Sequence, residues 1–104
     1  MTMVTNEADG IATIMPTAES IEEESDLIGE TAKWLLENGK NRIVFDLSNI
    51  KFIGDSGLSL LIRIHNTARF WEGTVGISGL HTEMRKVFQL TGLDKIFTII
   101  PPEL

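Results

Sequence analysis

Two short apolar stretches, Met3–Thr5 and Ile11–Met15, flank the dipeptide Asp9-Gly10. That pair favours the positive φ of a tight turn, so the opening of the chain predicts an antiparallel hairpin. Pro16 ends the second strand. Ser20 and Glu23 form an S-x-x-E capping box, followed by Ile21, Ile28, Ala32 and Leu35 at helical spacing up to Gly39. Trp34, on the flank of this helix, is expected in the core. The continuous apolar run Ile43-Val44-Phe45 within Arg42–Leu47 suits a central strand buried on both faces. After Phe52-Ile53 the stretch Gly54-Asp55-Ser56-Gly57 interrupts regular structure, and Leu58–Trp71 resumes helical periodicity with Ser56 as the expected N-cap. Thr74–Ser78 reads as a fourth strand. His81–Leu90 reads as a third helix with Met84, Val87 and Phe88 inward, and Ile96–Ile100 as a last strand before Pro101-Pro102. The order is ββαβαβαβ. Helices alternating with strands require crossover connections, so the expected class is α/β, a mixed sheet of four or five strands with helices packed on it.

Composition narrows the function without changing that picture. The 104 residues suffice for one core and one domain, 1–104, and 42% apolar with 23% charged residues is ordinary for a globular chain. Cysteine is absent, which removes disulfides, thiolate nucleophiles and zinc-thiolate sites and points to a reducing cytoplasmic setting. Two histidines leave little for a metal, and no cofactor is expected. A formal charge of −6 opposes nucleic acid and anionic lipid as partners. The charge is uneven, with eight acidic and no basic residues from Met1 to Ala32. A solvated helix face explains this better than an acidic docking tail. No apolar run approaches the ~20 residues of a membrane span, and the Met1 region lacks the basic-then-apolar pattern of an export signal.

Chemistry concentrates at Gly54-Asp55-Ser56-Gly57. As a bare string it imitates the nucleophile segments of trypsin-like proteases and of a lipase and esterase family, but the first needs two β-barrels and the second a C-terminal Asp-x-x-His that is missing here. A hydroxyl nucleophile also needs a base within reach. His65 is nine residues along the predicted helix from Ser56, about 13 Å at the helical rise, and His81 reads as a helix-start residue. No catalytic residue is therefore assigned, and the chain is read as non-enzymatic. An exposed serine beside free N–H groups at the positive end of a helix favours anion chemistry, and a phosphate there would be stabilised locally.

Three strings carry a family resemblance: Ile43-Val44-Phe45-Asp46-Leu47-Ser48, Phe52-Ile53-Gly54-Asp55-Ser56-Gly57-Leu58, and Val87-Phe88-Gln89-Leu90-Thr91-Gly92-Leu93 before Phe97. Their order and spacing from Arg42 onward, and more weakly from Ile11, resemble the STAS family of bacterial anti-sigma factor antagonists. The resemblance implies a small sheet with three helices mainly on one face. It also implies a serine, following an aspartate at the start of the second helix, that is phosphorylated by a kinase which is itself the anti-sigma factor. The unphosphorylated form would bind that partner, and a Ser/Thr phosphatase would restore it. The usual string is Asp-Ser-Ser-Gly-Leu or Asp-Ser-Thr-Gly-Leu. Aligned on the Asp-Ser pair, Ser56 is the acceptor with one following residue missing, which is the preferred alignment. Aligned on Gly57-Leu58, Asp55 stands where the phosphoserine would be, as a fixed negative charge. That second alignment implies a constitutive scaffold or accessory subunit, for example of a transporter. The segment before Ser20 lacks the family's Gly-x-Leu-Asp.

On a helical wheel Ser56, Ser59, Arg63, Asn66 and Phe70 fall within a sector of about 80°, while Leu61, Ile64, Ala68 and Trp71 take the opposite side. An exposed aromatic beside an arginine is typical of interface hot spots. The expected partner-binding residues are Asp55, Gly57, Leu58, Ser59, Arg63, Asn66 and Phe70, on a monomer that does not insert into membranes.

Overall fold

Asp9 and Gly10 both adopt positive φ, 57° and 76°, the pairing that lets a two-residue turn follow the twist of its strands. They join β1 (Met3–Ala8) to β2 (Ile11–Pro16) in antiparallel register, from Ala8 opposite Ile11 to Met3 opposite Pro16. The computed structural model describes residues 3–101. Beyond the hairpin the order is α1 (Ser25–Glu37), β3 (Arg42–Asp46), α2 (Asp55–Phe70), β4 (Thr74–Ser78), α3 (Thr82–Thr91) and a short β5 (Thr98–Ile99). Short 3-10 turns, Glu22–Glu24 and Leu93–Lys95, precede α1 and β5.

The five strands lie in sequence order, with β2, β3, β4 and β5 mutually parallel. Each parallel step needs a helical crossover, and crossovers of one hand between consecutive neighbours place α1, α2 and α3 on the same face. β3 is central, as its apolar run predicts. It is not buried on both faces, however: Ile43 and Phe45 are fully buried beneath the helices, whereas Val44 is only half-buried. The one-sided helix layer is the cause. Ala12, Ile14, Val75 and Ile77 join Ile43 and Phe45 in the core, closed from above by Ile28, Leu35, Leu61, Phe88 and Phe97.

Three inward assignments change. At 100° per residue Trp34 falls roughly 145° from the mean direction of Ile28, Ala32, Leu35 and Leu36. It is accordingly 56% exposed rather than in the core. Trp71 lies just past the end of α2 and is also exposed, its ring edge-on to Phe70. On α3 only Phe88 is fully buried, its ring against Phe97; Met84 is half-buried and Val87, on the other side of the helix turn, is exposed.

The Ser20–Glu23 capping box does not form. Ser20 is itself buried and bridges to Phe52, while Ile21 is drawn into the core, so α1 begins later, at Ser25. Glu24 takes over local hydrogen bonding instead, its carboxylate accepting from the amides of Thr17 and Ala18 at 2.9 Å each.

Candidate functional site

The carboxyl ends of β2 and β3 lead into two connections that run side by side. The Lys51 amide donates to the Glu19 carbonyl at 2.7 Å, the Asn49 side chain donates to the Pro16 carbonyl at 3.3 Å, and Ser20 bridges Phe52. Together these bonds carry the acidic turn Glu22–Glu24 to the start of α2.

α2 starts earlier than its periodicity predicts. Gly54, in extended conformation, is the N-cap, Asp55 is the first helical residue, and Ser56 stands inside the first turn rather than at the cap. A glycine cap has no side chain with which to satisfy the helix amides. Glu22 supplies the missing acceptor across the gap between the two loops. Its Oε2 accepts a hydrogen bond from the Gly57 amide at 2.6 Å and one from the Ser56 hydroxyl at 3.1 Å. The Gly57 amide, one of those that would greet an anion, is therefore not free. Burial raises the Glu22 carboxyl, but donation from its own amide, from Gly57, from the Ser56 hydroxyl and from the Gly54 amide outweighs it and holds the group below the ordinary carboxylate range.

Gly54 and Gly57 are what let the carboxylate in. A Cβ at either position would lie 2.9 or 2.7 Å from Oε2, and neither residue has a positive φ that would require glycine for conformational reasons. Sequence reasoning missed Glu22, which is 34 residues from Ser56. The available signal was the glycine pair around Asp55-Ser56, since glycine without a turn to make often marks the close approach of another group.

The other expected residues fall into place along α2. Asp55, Ser56, Ser59, Arg63, Asn66 and Phe70 are exposed, Leu58 is half-buried, and Gly57 is buried with its amide committed to Glu22. At 1.5 Å per residue the stripe from Ser56 to Phe70 is about 21 Å long. Phe70 is 83% exposed, with Trp71 beside it at 6.1 Å between ring centroids. Arg63 also borders a groove of about 540 Å³ between α1 and α2, whose lining includes Gly29, Lys33, Leu60, Ile64 and Trp71.

Neither histidine joins Ser56. His81 caps α3 with its Nε2 at 3.2 Å from the Ser48 carbonyl oxygen. His65 packs edge-on against Phe97, and burial together with the nearby Arg69 charge lowers its pKa.

Known proteins extend these observations. The family model of the STAS domain matches residues 2–103. The candidate anti-sigma factor antagonist BtrV of Bordetella bronchiseptica is 27% identical over 64 residues. That alignment takes in 62% of this chain and 55% of BtrV, so the chain spans about half the length of its curated relative. A candidate anti-sigma factor antagonist from Thermotoga maritima superposes with a TM-score of 0.80 at 25% identity, over 96% of this chain and 86% of the other. The Bacillus cell fate determinant SpoIIAA, solved in its phosphorylated form, shares the fold with a TM-score of 0.71 at 17% identity, over 95% of this chain and 91% of its own. With the match running from the first strand past the last, and with the strand order and three-helix layer in agreement, the chain belongs to the STAS domain family.

Proposed function

We propose that this protein is a phosphorylation-regulated binding switch of the anti-sigma factor antagonist kind. The unmodified face of α2 binds a kinase-type anti-sigma factor or related regulator, phosphorylation of Ser56 releases it, and a Ser/Thr phosphatase resets the surface. The observation that carries this reading is the exposed Ser56 hydroxyl at the head of a solvent-facing stripe that ends in an exposed Phe70. Two relatives named as candidate anti-sigma factor antagonists support the partner class, and SpoIIAA supports the notion that this fold tolerates a phosphate. A phosphate adds about −1.5 to −2 of charge. Placed beside Asp55 and Glu22, that charge opposes any acidic or closely fitted surface at the start of α2.

The test is capture from native lysate, with the wild type, Ser56→Ala and Ser56→Asp as baits, alongside mass spectrometry after incubation with the captured kinase, ATP and magnesium. Ser56→Ala should hold the partner constitutively and lose less than about 1 kcal/mol of stability, because it gives up one exposed hydrogen bond to Glu22 rather than a helix cap. Ser56→Asp should fold and bind poorly. Phosphate confined to Ser59 or Thr91, or binding indifferent to Ser56→Asp, would favour a second reading. In that reading Asp55, exposed as the first residue of α2, is a fixed charge on a constitutive scaffold or accessory subunit.

A further inference from the structure

We propose that the Glu22 carboxylate is a resident occupant of the anion position at the start of α2, and that phosphorylation of Ser56 evicts it and so moves the acidic turn ahead of α1. This rests on the reading of Ser56 as the phosphate acceptor and adds a second output to it: a rearrangement of the β2–α1 connection besides a change of charge.

The contact has the marks of a placeholder. One oxygen, Oε2, takes both the Gly57 amide and the Ser56 hydroxyl, while Oε1 is buried without a hydrogen-bond partner. The carboxylate thus fills the position through one oxygen and leaves the hydrogen-bonding capacity of the other unused. The seat is shaped for an oxyanion, since glycines at 54 and 57 leave room where a Cβ would collide with Oε2. On phosphorylation by a nucleoside-triphosphate-dependent kinase, the Ser56 Oγ–P bond forms as the bond from Pγ to the bridging oxygen of the nucleoside diphosphate breaks. The hydroxyl proton passes to a base of the kinase. The phosphate then carries three acceptor oxygens to the Gly57 amide that Glu22 was using. Two anions cannot share that space at hydrogen-bond distance, and the phosphate is covalently tethered, so the carboxylate must leave. Glu22 opens the 3-10 turn that ends at Glu24, whose carboxylate holds the Thr17 and Ala18 amides, so its displacement reaches the end of β2.

Nuclear magnetic resonance of the full chain tests both halves. In wild type, inorganic phosphate should leave the amides of residues 54–57 unmoved. In Glu22→Ala, verified as folded by its remaining spectrum, the same phosphate should shift them in a saturable manner. No response in Glu22→Ala would overturn the placeholder, with no kinase involved. In the second half, phosphorylation of wild type should move the Glu22 side-chain carboxyl resonance to that of a free glutamate and shift the amides of residues 22–24, while Gly57 stays hydrogen-bonded. Phosphate on Ser56 with Glu22 and its turn unmoved would overturn the eviction and leave the Ser56 switch standing. No phosphate on Ser56 would overturn the switch and the eviction together.

Discussion

Phe70 and Trp34 are both large, apolar and exposed, yet they sit in different surroundings. Phe70 closes the stripe that starts at Ser56 and leans on Trp71, while Trp34 stands on the outer side of α1. An aromatic that is 83% exposed contributes little to folding, since most of its area remains in water. Phe70→Ala should therefore change stability by less than about 0.5 kcal/mol, as surface substitutions do. If the ring anchors a partner, the same change should weaken binding by about 1–2 kcal/mol or more. Urea unfolding and calorimetric titration on one preparation separate the two effects. A sharp fall in unfolding midpoint would place the ring in the core and remove the stripe as an interface.

At the scale of elements, α2 is tied at both ends by glycines with different neighbours. Gly57 faces the far end of a flexible Glu22 side chain, whereas a Cβ at Gly73 would collide with the Asn41 backbone carbonyl oxygen. Asn41 precedes β3, and its carbonyl also accepts from the Thr74 amide at 2.9 Å, so the return from α2 to β4 is locked against the start of the central strand. Gly57→Ala should leave stability within about 1 kcal/mol, the gain in helix propensity offsetting the loss of the Glu22 contact. Gly73→Ala should cost more than about 2 kcal/mol, because backbone cannot step aside as a side chain can. Thermal unfolding of the two variants checks the contrast, and equal losses would contradict it.

For the whole molecule, two displaced protonation equilibria act in the same direction. Glu22 is held below the ordinary carboxylate value. The unfolded chain therefore binds its proton first as pH falls past about 4.3, and stability declines until the folded group also protonates. His65 is likewise depressed, by burial and then by Arg69. Its contribution is complete above about pH 6.5 and fades as pH falls from there toward its folded value. Urea unfolding across this range should show two descending limbs toward acid. Glu22→Gln should flatten the lower one and His65→Gln the upper; a limb unchanged by its own substitution would refute that assignment.

Much of this architecture is local in origin and could be read directly. The Asp9-Gly10 turn, the apolar centre of β3, the element order and the outward stripe of α2 all follow from conformational preference and periodicity within a few residues, and the motif around Ser56 pointed to the STAS family. Periodicity also contained the answer for Trp34, whose angle on α1 faces solvent even though its apolar character suggested the core. Tertiary structure alone decided what occupies the start of α2. Parallel crossovers bring the β2–α1 and β3–α2 connections together at the carboxyl ends of β2 and β3; there the bridge from Ser20 to Phe52 replaces the expected Ser20–Glu23 capping box, and a glutamate 34 residues from Ser56 takes the Gly57 amide that was expected to be free. No short-range rule encodes such a pairing, because its energy comes from filling hydrogen-bonding groups that become neighbours only after the sheet has closed.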